Sequence, residues 1–205
     1  MAYLIIIVIL SAIVYLLNSF LNPAGVDLPW AYYAIALVIY IAASVLVDGI
    51  VAFIIRRLPK KWMDPNKGMI KTYKWEEKLY AFLHVSSWKR FMPDLGMFTK
   101  FQKGRIADPT NNEYIGRYIL EASYGVVIHY ISIFTAPLVL FLAFIKPTDL
   151  TTLTVGVPVV IVNMFLILLP ALSLKYNLPK LQKVYRINEK LAKRKEAMKA
   201  KETIG

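Results

Sequence analysis

Residues 118–145 read YILEASYGVVIHYISIFTAPLVLFLAFI. The run is long enough to cross the hydrocarbon core of a bilayer as a helix. It nevertheless carries Glu121 and His129. Charged side chains are costly at that depth, and those that occur there face a protein interior or a wet cavity. Glu121, Gly125 and His129 are four residues apart, so on a helix they stack along one face, which Ser132 and Ala136 continue. A stripe of small and polar residues on an apolar helix is expected to face inward. Glu121 and His129 are therefore the first candidates for chemistry, as an acid–base pair acting through water or substrate. The competing reading of His129 is a histidine hydrogen-bonded across helices for packing alone.

Outward from that stretch the chain divides into apolar blocks. Spans are expected at about 3–21, 31–55, 118–145 and 153–174, separated by Asn22-Pro23-Ala24-Gly25, by Arg56-Arg57 with Pro59, and by a short connection after Ile145. The first block lacks a basic leading region and a small-residue cleavage site, so it reads as an uncleaved span. Pro137 is expected to kink the third. Hydrophobic residues make up 58% of the 205, against about 45–50% in a typical soluble domain. The expected fold is all-α: a polytopic integral membrane protein of about four transmembrane helices, with one membrane domain over 1–174. A long cytoplasmic or interfacial segment occupies 58–116, and a basic tail helix 175–205.

Charge supports that arrangement. The net charge is +12, and Arg56 to Arg117 holds 14 Lys or Arg against 6 Asp or Glu. Basic loops stay on the cytoplasmic side, so both termini are expected inside, with the basic segments on anionic lipid rather than nucleic acid. Cysteine is absent, which excludes disulfides, thiolate metal sites and cysteine nucleophiles. Two histidines without ligand spacing give no metal site, and no glycine-rich phosphate loop occurs.

Other stretches invite interpretation. Asp48 is a second intramembrane acid; it would pair either with His129, setting its tautomer, or with a lysine toward the interface. Trp75, Leu79 and Phe82 recur at helical spacing among charges, which fits a helix lying in the membrane interface or one packed on the ends of the spans. Leu181, Val184, Ile187 and Leu191 give the tail the same character. Trp88-Lys89-Arg90 reads locally as an anchor, tryptophan at head-group depth and cations on lipid phosphate.

The block Trp88-Lys89-x-x-x-Pro93-Asp94-x-Gly96-x-Phe98, with Lys100 or Lys103 as the trailing cation, resembles the signature of the glycosyl-4,4'-diaponeurosporenoate acyltransferases. These are small bacterial membrane enzymes of staphyloxanthin-type carotenoid biosynthesis. Trp75-Glu76-x-x-Leu79-Tyr80 is also similar to that family, as is the Glu121 to His129 spacing. Lys175-Tyr176-Asn177 after Pro170 matches an Arg-Tyr-Asn-Arg motif, with lysine for the first arginine and Leu178 for the last. Tyr124 and Val126 stand where the family carries a basic and an acidic residue.

The resemblance implies transfer of an acyl group to a hydroxyl of a lipid-linked, carotenoid- or isoprenoid-type glycoside. His129 and Glu121 would be catalytic. Trp88, Lys89, Arg90, Asp94, Gly96, Lys175, Tyr176 and Asn177 would bind substrate; Asp48, singled out as an intramembrane acid and not by the resemblance, is a further candidate for the binding site. An acyl-CoA-type donor would be co-substrate without a bound cofactor, and the partners would be membrane lipids and the amphiphilic acceptor. The rival readings are a non-catalytic lipid-binding or accessory protein, another lipid-modifying transferase, and a small transporter.

Overall fold

The computed structural model describes residues 9–10, 13, 16, 20, 30–89, 106, 108–144 and 155–204. The expected first span falls almost wholly outside them, as do Arg90, Asp94 and Gly96. The described residues are mostly helical, with no strand among them. The principal helices are α1 (Trp30–Ile55), α2 (Lys74–Phe82), α3 (Val85–Trp88), α4 (Asn112–Thr135) and α5 (Val157–Ile204). Among the described residues, three stretches are long and apolar enough to cross a membrane: Ala31–Ile55, Asn112–Leu142 and Val157–Lys201.

The prolines shape two of these helices differently. Pro137 has no N–H, and its ring would strike the carbonyl of residue 133 in an α-helix. α4 accordingly stops at Thr135, and the backbone continues as a 3-10 helix over Ala136–Phe144. Pro170 and Pro179 lie inside α5, which runs through both for 48 residues. About 20 helical residues suffice to cross the hydrocarbon core, so the 48 residues of α5 are more than one crossing needs.

The chain forms two compact units. One comprises Met1–Arg57 with Ile128–Leu169, the other Leu58–Val127 with Pro170–Gly205. In the first, Ala36 and Tyr40 of α1 pack with Ala136, Val139, Val155, Val159 and Val160. Ala36, Tyr40, Ser44, Val51 and Ile55 form the buried stripe of α1, while Val38, Leu46 and Phe53 on its other sides are more than half exposed. A helix that is apolar all round yet buries one stripe has its remaining sides suited to lipid. Polar side chains in these helices bond their own backbone: Ser44 Oγ donates to the Tyr40 carbonyl at 2.8 Å, and Thr135 Oγ1 to that of Ile131 at 3.2 Å.

The second unit is built around Val85, Ile115, Val126 and Leu178, all essentially inaccessible. Tyr124 and Val126 have structural roles here. Val126 fills this core, and the Tyr124 hydroxyl donates to the Leu58 carbonyl at 2.9 Å. His84 supplies the left-handed residue (φ 50°) between α2 and α3, a conformation histidine adopts more readily than most. Its Nδ1 lies 2.8 Å from the Phe82 carbonyl.

In the first unit, Gly156 approaches the buried Tyr40 so closely that an added Cβ would sit 2.7 Å from two ring carbons. Gly156→Ala is expected to lower stability by roughly 1–3 kcal/mol through overpacking. A melting curve in detergent checks this, and an unchanged midpoint would show that the ring relaxes freely.

Candidate functional site

α2 forms because a run of good helix formers follows a defined start. The Glu76 carboxylate accepts the Tyr73 backbone N–H at 2.8 Å, satisfying one donor before the helix, and the Glu76 N–H bonds the Tyr73 carbonyl at 3.0 Å. Glu76 and Tyr80, one turn apart, are the buried residues of α2, at 5% and 3% exposure. The second Glu76 oxygen accepts the Lys175 ammonium at 2.5 Å. Lys175 is also buried, at 4% exposure. Removing both charges from water costs several kcal/mol per ion, so such a pair persists only when its remaining hydrogen-bonding capacity is met. Both carboxylate oxygens of Glu76 meet that condition.

The backbone of Lys175 is fixed by a second device. Pro179 cannot donate to the carbonyl four residues earlier, which belongs to Lys175. Thr72 Oγ1 donates to that carbonyl at 3.1 Å instead. A proline gap in α5 is thus closed from the segment just before α2.

Around this pair stands a cationic cluster. Lys89 Nζ donates to Asn177 Oδ1 at 2.6 Å and lies 4.8 Å from the centre of the Tyr176 ring. Lys180 Nζ donates to the Tyr176 hydroxyl at 2.8 Å, and Tyr176 meets Tyr80 edge-on at 5.9 Å. Among the described residues no carboxylate pairs with Lys89 or Lys180. Burial and then the Lys180 charge hold the Lys89 ammonium below the usual lysine range, with Tyr176 opposing them. Two ammonium groups on one phenol, with an amide between them in sequence, suit an anionic group. Trp88 serves the local fold, its indole N–H donating to the Leu83 carbonyl at 2.8 Å.

The structure therefore brings together Glu76, Tyr80, Lys89, Lys175, Tyr176 and Asn177, drawn from two regions that are distant in sequence. Thr72 and Lys180 were not singled out by sequence reasoning. Lys180 lies four residues after Tyr176 on a helix, a spacing that was legible; Thr72 carried no local signal. The same unit holds an open cavity of about 300 Å³ between Asn66, Gly116, Ile119, Gln182, Tyr185 and Arg186.

Glu121 and His129 lie on α4 and are each half-buried. Glu121 belongs to the second unit and His129 to the first. One turn beyond His129, Ser132 is 1% exposed and lies beside the Asp48 carboxyl. Asp48 Oδ2 accepts from Asn163 Nδ2 at 3.4 Å. Asp48 Oδ1 and Ser132 Oγ are buried without a hydrogen-bond partner among the described residues. Asp48 thus meets Asn163, the lone amide in an apolar run of α5, which sequence reasoning passed over.

Helices without strands, three of them membrane-competent, and a basic polar cluster among the described residues define a membrane protein. A sequence model described as glycosyl-4,4'-diaponeurosporenoate acyltransferase matches residues 59–187. That is well over half of the chain, which belongs to this family of carotenoid biosynthesis. The match contains the whole Glu76–Lys175 cluster together with Glu121 and His129, and it begins after α1 and Asp48. No curated protein and no solved structure matches.

The Thr72 contact predicts a specific coupling. Thr72→Val leaves the Lys175 carbonyl unpaired and is expected to cost roughly 1 kcal/mol. On a Pro179→Ala background the helical N–H returns, and the same change is expected to cost under about 0.5 kcal/mol. A double-mutant cycle of unfolding free energies measures this; additive effects would refute the coupling.

Proposed function

We propose that this chain is a multi-pass enzyme of the cell membrane, with both termini on the cytoplasmic side. It transfers an acyl group from an acyl-CoA-type donor to a hydroxyl of a lipid-linked, carotenoid- or isoprenoid-type glycoside. The observation that carries the reading is the convergence of the family-like residues Glu76, Lys89, Lys175, Tyr176 and Asn177 on one cationic cluster. In this reading Lys89 and Lys180 hold the phosphates of the donor, with Arg90, Asp94 and Gly96 contributing from the adjoining segment. Membrane lipids surround the spans, and the acceptor's hydrocarbon chain lies among them.

The chemistry is a displacement at a thioester. The acceptor oxygen attacks the acyl carbon while His129 takes its proton. The C–S bond breaks, and the imidazolium returns that proton to the leaving thiolate. In this reading Glu121 acts with His129 through water or substrate.

Replacing His129 with alanine in folded protein is expected to reduce turnover by about 10²–10⁴-fold. Retention of turnover would remove His129 from the chemistry, and bound lipid without turnover in the wild type would identify an accessory protein. Lys89→Ala is expected to raise the donor KM with little effect on kcat. The lowered Lys89 value means its charge is lost, as pH rises, earlier than that of an ordinary lysine near about 10.4. Donor KM should therefore climb in that earlier window for the wild type and stay flat for Lys89→Ala. Matching profiles for the two proteins would exclude Lys89 from donor binding.

A further inference from the structure

The ion pair that turns Glu76 inward leaves the apolar side of α2 uncovered. Trp75 is 63% exposed and Phe82 78%, with Leu79 at 36% between them. At 100° per residue these three fall within an arc of roughly 60°. The buried Glu76 and Tyr80 border that arc on one side, and the exposed Lys74, Glu77 and Lys78 follow on the other. Just before the helix in the chain, Trp62 and Met69 are exposed as well, at 60% and 50%. Lysines 60, 61, 67, 71, 74 and 78 are interleaved with these residues in sequence and exposed.

This is the reverse of a helix packed into a protein: its charge is sealed within and its tryptophan and phenylalanine stand outside. Water does not favour such a surface, and its lysines suit an anionic one. Chain continuity names the partner. Trp62 follows Arg57, at the end of a membrane-competent helix, by five residues, a reach of no more than about 18 Å. Arg57 itself folds back over the exposed Phe53 ring at 3.9 Å, the posture of a cation at a hydrocarbon boundary.

We propose that residues 60–83 form a lipid-docking surface. α2 lies in the head-group layer of the bilayer that the chain crosses, with Trp75, Leu79 and Phe82 turned to acyl chains and the lysines to anionic phosphate. Glu76 sits on the same helix, so docking also holds the Glu76–Lys175 pair and its cationic neighbours at head-group depth. The docking inference stands whether or not the chain transfers an acyl group.

The chain has no cysteine, so site-directed spin labelling tests this in the full-length protein without removing native residues. Trp75→Cys, Glu77→Cys, Lys78→Cys, Leu79→Cys and Phe82→Cys are prepared as single variants, and each is labelled in turn. They are reconstituted in phosphatidylglycerol–phosphatidylethanolamine vesicles and in phosphatidylcholine vesicles. Accessibility to oxygen is expected to exceed that to a water-soluble nickel chelate several-fold at 75, 79 and 82, and to reverse at 77. The contrast should be larger in the anionic vesicles. Equal nickel access at 75 and 77 would overturn the proposal, as would loss of the helical period. Low access to both reagents with dipolar broadening between labels would also overturn it, by assigning the face to a second copy of the chain.

Discussion

Glu76 and Lys175 form a buried ion pair between residues 99 apart in sequence. Neither charge would tolerate burial alone; removing one partner of such a pair typically costs about 3–5 kcal/mol. The pair therefore fixes which side of α2 faces inward. It also requires the middle of α5 to present Lys175 at that point, and this is where the proline gap acts. Because Pro179 leaves the Lys175 carbonyl open, Thr72 can join it, and the segment before α2 becomes tied to the same residue whose side chain holds α2 itself. One residue of α5 anchors by its backbone and its side chain.

The functional surface follows from that anchoring. With α2 and α3 in place, Lys89 meets Asn177 and Tyr176, and Lys180 meets Tyr176 from the next turn. The result is a set of cations whose positive charge is not neutralised by carboxylates among the described residues. Such a cluster is suited to an anionic group and is found within the stretch that defines the acyltransferase family. A second polar group, Asp48 with Asn163 and Ser132, is distinct in kind: it draws on residues of three apolar stretches and contains no cation.

Much of the membrane architecture was legible because hydropathy is a local property. A run such as Ala31–Ile55 declares itself without reference to anything else in the chain, and so does the stop at Arg56-Arg57. The break at Pro137 was legible for the same reason: a missing N–H acts on its own helix. The family-like motifs also marked most of the cluster residues, though not their partners. Glu76 and Lys175 were each visible as parts of short patterns, and nothing in either pattern says that the two meet.

The sequence by itself determined the helical, membrane-embedded character of the chain and the family to which it belongs, because apolar length and short motifs are read one segment at a time. Tertiary structure decided the pairing of Glu76 with Lys175, the rescue of a proline-opened carbonyl by Thr72, and the outward turn of Trp75 and Phe82. An amphipathic pattern shows that a helix has two sides but not which one is covered. Here a buried charge pair outweighed the usual preference for burying the apolar side, and that outcome depends on a partner nearly a hundred residues away.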